Sequence, residues 1–179
     1  VSIKKSYLES YHAALNCDPI SAFGGIVSCN FKVTKNLATE LNKLFLEVVI
    51  ANSFDPIALK ILKTKKNLRL IDASNYSLNE KLRFTSNNEE ILIQSEDRNK
   101  FNIKDFKIVS KKKPNSKQMK NLIFAFNVCR YVKSNAIVLA ANETTVGIGS
   151  GQPSRLDSCE IAIGKMKKFT NIKNEIVAA

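Results

Sequence analysis

Residues 24–71 read GGIVSCNFKVTKNLATELNKLFLEVVIANSFDPIALKILKTKKNLRLI, and the alternation inside this stretch decides the fold class. Gly24–Cys29 is a short apolar strand leaving a Pro- and Gly-marked turn, DPISAFGG. Leu37, Leu41, Leu44, Phe45 and Val48 recur at i, i+4, i+7, i+8 and i+11, which predicts a helix opening at Thr34 as N-cap. Val48–Ala51 (VVIA) reads as a buried strand. Asp55-Pro56 supplies an N-cap followed by proline in the first turn of a third helix, to about Lys65. Leu68–Ile71 is the next strand. Strands alternating with helices predict an α/β protein with a parallel sheet.

Working outward, Tyr7, Leu8, Tyr11 and Leu15 predict an amphipathic helix over Ile3–Asn16. Beyond Asp72 the pattern weakens into Asn-rich sequence around one apolar patch, Ile91-Leu92-Ile93, read as a connector carrying one strand. Phe106–Val109 suggests another short strand. Met119, Leu122, Ile123, Phe126 and Arg130 mark one side of a long helix that follows Pro114 and ends near Lys133. Ala136–Ala141 and Thr144–Ile148 flank Asn142-Glu143 as a hairpin, and Cys159, Ala162, Ile163 and Met166 mark a last helix. The expected organisation is a first α/β lobe segment over 1–72, a polar connector over 73–104 and a second α/β segment over 105–179.

A chain of 179 residues with 44% hydrophobic and 25% charged residues can bury a core without staples. No run approaches the roughly 18 apolar residues of a membrane span. The start, VSIKKSYLESY, has neither an initiator Met nor a secretory signal, so the chain reads as a piece of a longer protein. Cys17, Cys29, Cys129 and Cys159 form no C-x-x-C pair, and His12 is the single histidine, so zinc-ligand spacing is absent. The thiols read as reduced core residues of a cytoplasmic protein. The formal charge of +12 comes from 23 Lys and only five Arg. Lys63, Lys65 and Lys66, and Lys165, Lys167 and Lys168, sit at predicted helix ends, where the helix dipole favours them without a ligand. With few Arg and no aromatic–basic interleaving, a nucleic-acid face is not indicated.

Several constellations can carry chemistry. Gly147-Ile148-Gly149-Ser150-Gly151-Gln152-Pro153-Ser154-Arg155 is a glycine-rich loop between strand and helix. Its amides can wrap an anion while Arg155 adds a planar fork, or it is a tight turn with Ser154 as N-cap. It matches neither the dinucleotide fingerprint nor the P-loop. In DPISAFGG, Phe23 beside Gly24-Gly25 either stacks on a flat ring or fills the core. Asn135 is a helix C-cap or an amide that orients a polar substrate group. Glu47 is an exposed helical residue or a functional carboxylate. His12 reads as a half-buried helix residue rather than a base.

DPISAFGGIVSCN, LFLEVVIA, KKNLRLID, KSNAIVLA and TVGIGSGQPSRLDSCEIA, in this order and spacing, resemble the transformylase domain of a bifunctional family. That family is aminoimidazole carboxamide ribonucleotide (AICAR) transformylase/IMP cyclohydrolase. Similarity runs over about Val1–Asp72 and Asp105–Phe169. The resemblance implies cytidine-deaminase-like three-layer α/β lobes without the deaminase zinc. It implies formyl transfer from 10-formyltetrahydrofolate, a co-substrate, to the 5-amino group of AICAR, in a homodimer with interface active sites. Position by position it assigns Gly24, Glu47, Asn135 and Arg155 to the nucleotide substrate, with Asn135 also catalytic. It assigns Ile20, Phe23 and Leu156 to the folate pocket, and implies no metal, nucleic-acid or membrane partner. Glu47 stands where other members carry Asp. The connector reads Asn87-Asn88-Glu89-Glu90 where the family has a Gly-rich string.

The family's Lys-His pair, in a motif resembling V-K-H-x-N-P-C-G, would lie immediately before Val1. The AICAR amine is a poor nucleophile and needs a base for its proton and a cation for the tetrahedral oxyanion. The resemblance gives those tasks to that pair, so the 179 residues alone are expected to be inactive. The competing reading is a non-catalytic nucleotide- or folate-binding module that never had the pair.

Overall fold

The structure, a computed structural model, describes residues 1–76, 82–95, 101, 103–172 and 175–179. Parts of the expected connector therefore lie outside the described residues. The first segment opens with helix α1 (Tyr7–Leu15), shorter than the predicted Ile3–Asn16. The helix starts late because residues 1–3 are extended and pair elsewhere: Ser2 bridges Thr144 antiparallel, and the Ile3 amide donates to the Glu143 carbonyl at 2.9 Å. Ser6 then caps the helix, its hydroxyl accepting from the Glu9 amide.

Strand β1 (Gly25–Val33), helix α2 (Lys35–Leu41), strand β2 (Leu46–Phe54), helix α3 (Pro56–Leu62) and strand β3 (Arg69–Asp72) follow. The sheet order is β1-β2-β3, all parallel, as the alternation predicts. The predicted second helix overruns: α2 stops at Leu41, and Val48 lies in β2 opposite Ile26. A helical period continued through 44–48, yet the chain turns after Leu41 and pairing with β1 claims Leu46 and Val48, so tertiary context overrides the local pattern. Val33, Leu37, Ala38, Leu41, Val49, Ala51, Ala58 and Leu62 form the closed core between this sheet and its helices. Asp55 occupies the predicted N-cap position, but its carboxylate bonds Lys32 at 2.6 Å instead of capping the helix.

The expected single strand at 91–93 is half of a hairpin, β4 (Leu82–Asn87) and β5 (Glu90–Ser95), antiparallel. Asn88 makes the turn at φ 50, a conformation Asn tolerates better than most residues. Phe106–Val109 is not a strand; it has no ladder partner among the described residues and stays exposed.

Helix α4 (Ser116–Cys129) begins behind a capping box, Asn115 and Gln118 bonding each other's amides at 2.8 and 3.0 Å. Strands β6 (Ile137–Ala141) and β7 (Thr144–Gly149) form the predicted hairpin, with Asn142 and Glu143 both at positive φ. Helix α5 (Arg155–Phe169) and the short strand β8 (Val177–Ala178) complete the segment. This sheet, β7-β6-β8, is antiparallel throughout, so the parallel expectation holds only for β1–β3. Val138 and Ala140 face α4, whereas Leu139 and Ala141 face α5, giving three layers.

The lysine clusters are accounted for by the fold. Lys63 is the C-cap of α3, and Lys65 Nζ donates to the Leu44 carbonyl at 2.6 Å. Lys167 and Lys168 occupy the last turn of α5, and Lys165 bonds Asp18 at 2.5 Å. No helix among the described residues is long and apolar enough to cross a membrane.

Candidate functional site

The glycine-rich loop is strapped onto the chain that leads into β6. The Gly151 amide, at φ 70, donates to the Lys133 carbonyl at 2.8 Å, and the Asn135 amide donates to the Gln152 carbonyl at 3.1 Å. Asn135 is not a helix C-cap, since Arg130 ends α4. Its Nδ2 donates to the carbonyls of Gln152 at 3.1 Å and Pro153 at 2.8 Å. Two carbonyls facing one end fix the amide's orientation and consume both of its N–H groups. Oδ1 alone is left to meet a substrate, and only as an acceptor. The Asn135 carbonyl takes a 2.7 Å bond from the Ser158 hydroxyl on α5.

Two of the loop's glycines serve packing. A Cβ on Gly147 would lie 2.1 Å from the Ala162 carbonyl oxygen, and one on Gly149 would lie 1.9 Å from that of Ser158. Both residues belong to β7, and their bareness lets α5 lie directly on the strand. Ser154 is the N-cap as predicted, its hydroxyl accepting from the Leu156 amide at 3.1 Å. Asp157 sits in the first turn of α5, so this positive helix end already carries a carboxylate. Arg155 is exposed and has no hydrogen bond or ion pair among the described residues, which leaves its guanidinium open to an anion. Leu156 beside it is 67% exposed.

A second group forms where β1 and β2 begin. Gly24, at φ 70, donates its amide to the Phe45 carbonyl at 2.9 Å. Phe23 is not in the core; it is 69% exposed, with its ring 5.1 Å from that of Phe45. Ile20, in the same turn, is 62% exposed. Glu47 lies on β2, not on a helix, and bonds Arg69 at 3.1 Å. Sequence reasoning gave no site role to Arg69, Phe45 or Ser158, although each lies inside one of the strings that carry the resemblance.

No hydrogen bond or ion pair among the described residues joins the Phe23–Gly24–Glu47 group to the Asn135–Arg155–Leu156 group. Near these groups Asp18–Lys165 ties the two segments, from the turn before Ile20 to α5, in addition to the contacts of residues 1–4 with 142–145. Burial opposes ionisation of Asp18, but the bonds from Lys165 and Ser21 and the lysine's charge outweigh it, holding the carboxyl below its ordinary range. His12 is more exposed than expected, and its Nε2 lies 3.8 Å from Glu40. No three or more His, Cys, Asp or Glu side chains cluster as a metal site among the described residues.

The model of the family described as AICARFT/IMPCHase bienzyme matches residues 1–165. The chain belongs to that family. Its relatives include the bifunctional purine biosynthesis protein PurH of Brachyspira hyodysenteriae, 46% identical over 162 residues, covering 90% of this chain and 31% of the relative. PurH of Buchnera aphidicola subsp. Schizaphis graminum is 43% identical over 169 residues, covering 93% of the chain and 32% of its own length. PurH of Clostridium beijerinckii is 43% identical over 175 residues, covering 98% and 34%. The chain thus spans about a third of the length of these curated relatives.

Proposed function

We propose that this chain is part of an AICAR formyltransferase of purine biosynthesis, a cytoplasmic homodimer whose parent protein is also an IMP cyclohydrolase. In the reaction the 5-amine of AICAR attacks the formyl carbon of 10-formyltetrahydrofolate. The bond from formyl carbon to N10 breaks, and the proton given up by the amine is matched by one taken up at N10 as tetrahydrofolate leaves. The observation that carries the reading is Asn135, whose amide is clamped so that Oδ1 stands ready as an acceptor. An acceptor in a fixed direction suits an attacking amine, which must present an N–H to the protein while its lone pair faces the formyl carbon.

The other assigned residues fit the same chemistry. Arg155 supplies a cation, without a partner among the described residues, for an anionic oxygen of the nucleotide. Gly24 lets the backbone approach a ligand closely. Glu47 reaches the substrate amine or carboxamide only by sharing its carboxylate with Arg69. Ile20, Phe23 and Leu156 offer exposed apolar surface for the pterin, the kind of surface an interface active site would cover. This arrangement calls for no metal.

Within the 179 residues the one histidine is His12 of α1, beside Glu40 of α2; the family resemblance gives the tasks of base and oxyanion cation to the Lys-His motif instead. The test is formyl transfer by the chain alone and by the chain joined to a V-K-H-x-N-P-C-G segment ahead of Val1. The expected result is turnover only in the second form, lost on Asn135→Ala. Turnover by the chain alone, or an Asn135→Ala enzyme as active as its parent, refutes the assignment.

A further inference from the structure

The residues assigned to the site come from two segments of the chain. Ile20, Phe23, Gly24 and Glu47 belong to the first, and Asn135, Arg155 and Leu156 to the second. Their spacing is therefore set where the segments are joined. Each buried apolar cluster draws its residues from one segment alone, so no shared core joins them among the described residues. The polar bonds that cross the joint, among the same residues, lie on either side of α1. Before it, residues 1–4 bond to 142–145; after it, Asp18 bonds to Lys165.

The Asp18 carboxylate has two tasks, one on each oxygen. Oδ1 accepts the Ser21 amide at 3.0 Å, which shapes the turn that presents Ile20 and Phe23. Oδ2 accepts from Lys165 Nζ at 2.5 Å, which fixes that turn against α5. The Asp18 side chain is only 19% exposed, so water screens this pair less than it screens an open surface pair. Lys165 lies on the same helix as Arg155 and Leu156, about 14 Å along the axis from Leu156. That helix rests directly on β7 at Gly147 and Gly149, so its two ends keep their places together.

We propose that Asp18 and Lys165 are positioning residues for formyl transfer, holding the Ile20–Phe23 turn at the distance from α5 at which both segments grip the substrates. Neither residue touches a reacting atom. The inference rests on the assignment of substrates given above and adds the pair that keeps the two sides of the site in place.

Two measurements on the parent protein test it. Lys165→Met keeps the apolar stem and removes the charge, and Asp18→Asn keeps an oxygen for the Ser21 amide. Each should speed hydrogen exchange in residues 18–25 about threefold or more. Each should also raise the KM for AICAR and for 10-formyltetrahydrofolate about fivefold or more, with kcat held to within about threefold. The double variant should be no worse than either single one, because both cut the same bond. Lys165→Arg, which keeps the charge, should return every value to within about twofold of the parent. Lys32→Met removes an ion pair inside the first segment and should alter neither the exchange nor the KM values.

Unchanged exchange in Lys165→Met shows that the pair does not hold the turn and overturns the inference. So do faster exchange with unchanged KM values, additive effects in the double variant, or equal effects in Lys32→Met. A parent protein that transfers no formyl group refutes the assignment of substrates instead, and the exchange measurement still decides whether the pair holds the turn to α5.

Discussion

Ser158 donates its hydroxyl proton to the backbone carbonyl of Asn135 at 2.7 Å, from a side chain with no exposed surface. The bond fastens α5 to the residue that presents the proposed substrate acceptor. Ser158→Ala leaves that carbonyl without this partner and should cost about 1–3 kcal/mol of stability. Gly149→Ala drives a methyl into the Ser158 carbonyl and should cost about 3 kcal/mol or more, the upper end of overpacking. Urea unfolding of the two variants gives the ordering; an alanine at 149 as stable as the parent would contradict the packing.

Asn135→Asp should be worse tolerated than Asn135→Ala. The aspartate puts an oxygen where Nδ2 meets two carbonyls, exchanging two attractive contacts for repulsion. Each lost bond is worth about 1 kcal/mol before the repulsion is added. Thermal denaturation at neutral pH distinguishes the pair, and equal melting temperatures would show that the amide is not clamped.

At Gly24 backbone strain can be isolated from sterics. A Cβ there would have its nearest neighbour, the Phe45 ring, at 3.8 Å, which is ordinary contact. The φ of 70 alone should make Gly24→Ala destabilising by about 1–2 kcal/mol, and Gly24→Asn by less. Chemical denaturation of both variants checks the order.

The Asp18–Lys165 pair predicts an acid-sensitive tie between the turn at Ile20 and α5. Asp18 titrates below its ordinary 3.8, so the folded chain binds this proton less tightly than the unfolded one. The contribution is present above 3.8 and is lost as pH falls through the lower folded value. Asp18→Asn should flatten the part of the stability profile below pH 3.8. A profile identical to the parent's there would show that Asp18 carries none of it.

Cys29 should resist alkylation in the native state. Burial pushes its thiol up to about 11, so at pH 8 about one molecule in 10³ carries the thiolate. Cys129 and Cys159 are only partly covered. Mass spectrometry after brief iodoacetamide treatment should find label on those two first, and on Cys29 only after unfolding.

How far the sequence reached varies by element. The β6–β7 hairpin and Ser154 cap were legible because Asn142-Glu143 and Ser154 act through bonds a few residues long. Residues 44–48 were misread because a helical period and a buried strand both accept Leu44, Phe45 and Val48; pairing of Ile26 with Val48 decides between them. The hairpin β4–β5 was half seen, since Ile91-Leu92-Ile93 stands out and Leu82 and Phe84 are diluted by polar neighbours.

By itself the sequence determined the family, the α/β class and the residues to inspect, because motif spacing and periodicity are properties of the chain. Only the tertiary structure decided what those residues are free to do. Glycines at 147 and 149 turned out to make room for α5, and Glu47 turned out to be held by Arg69. Asn135 kept an acceptor and lost its donors to Gln152 and Pro153. Such facts depend on which backbone groups folding brings within 3 Å or so, and spacing along a chain does not encode them.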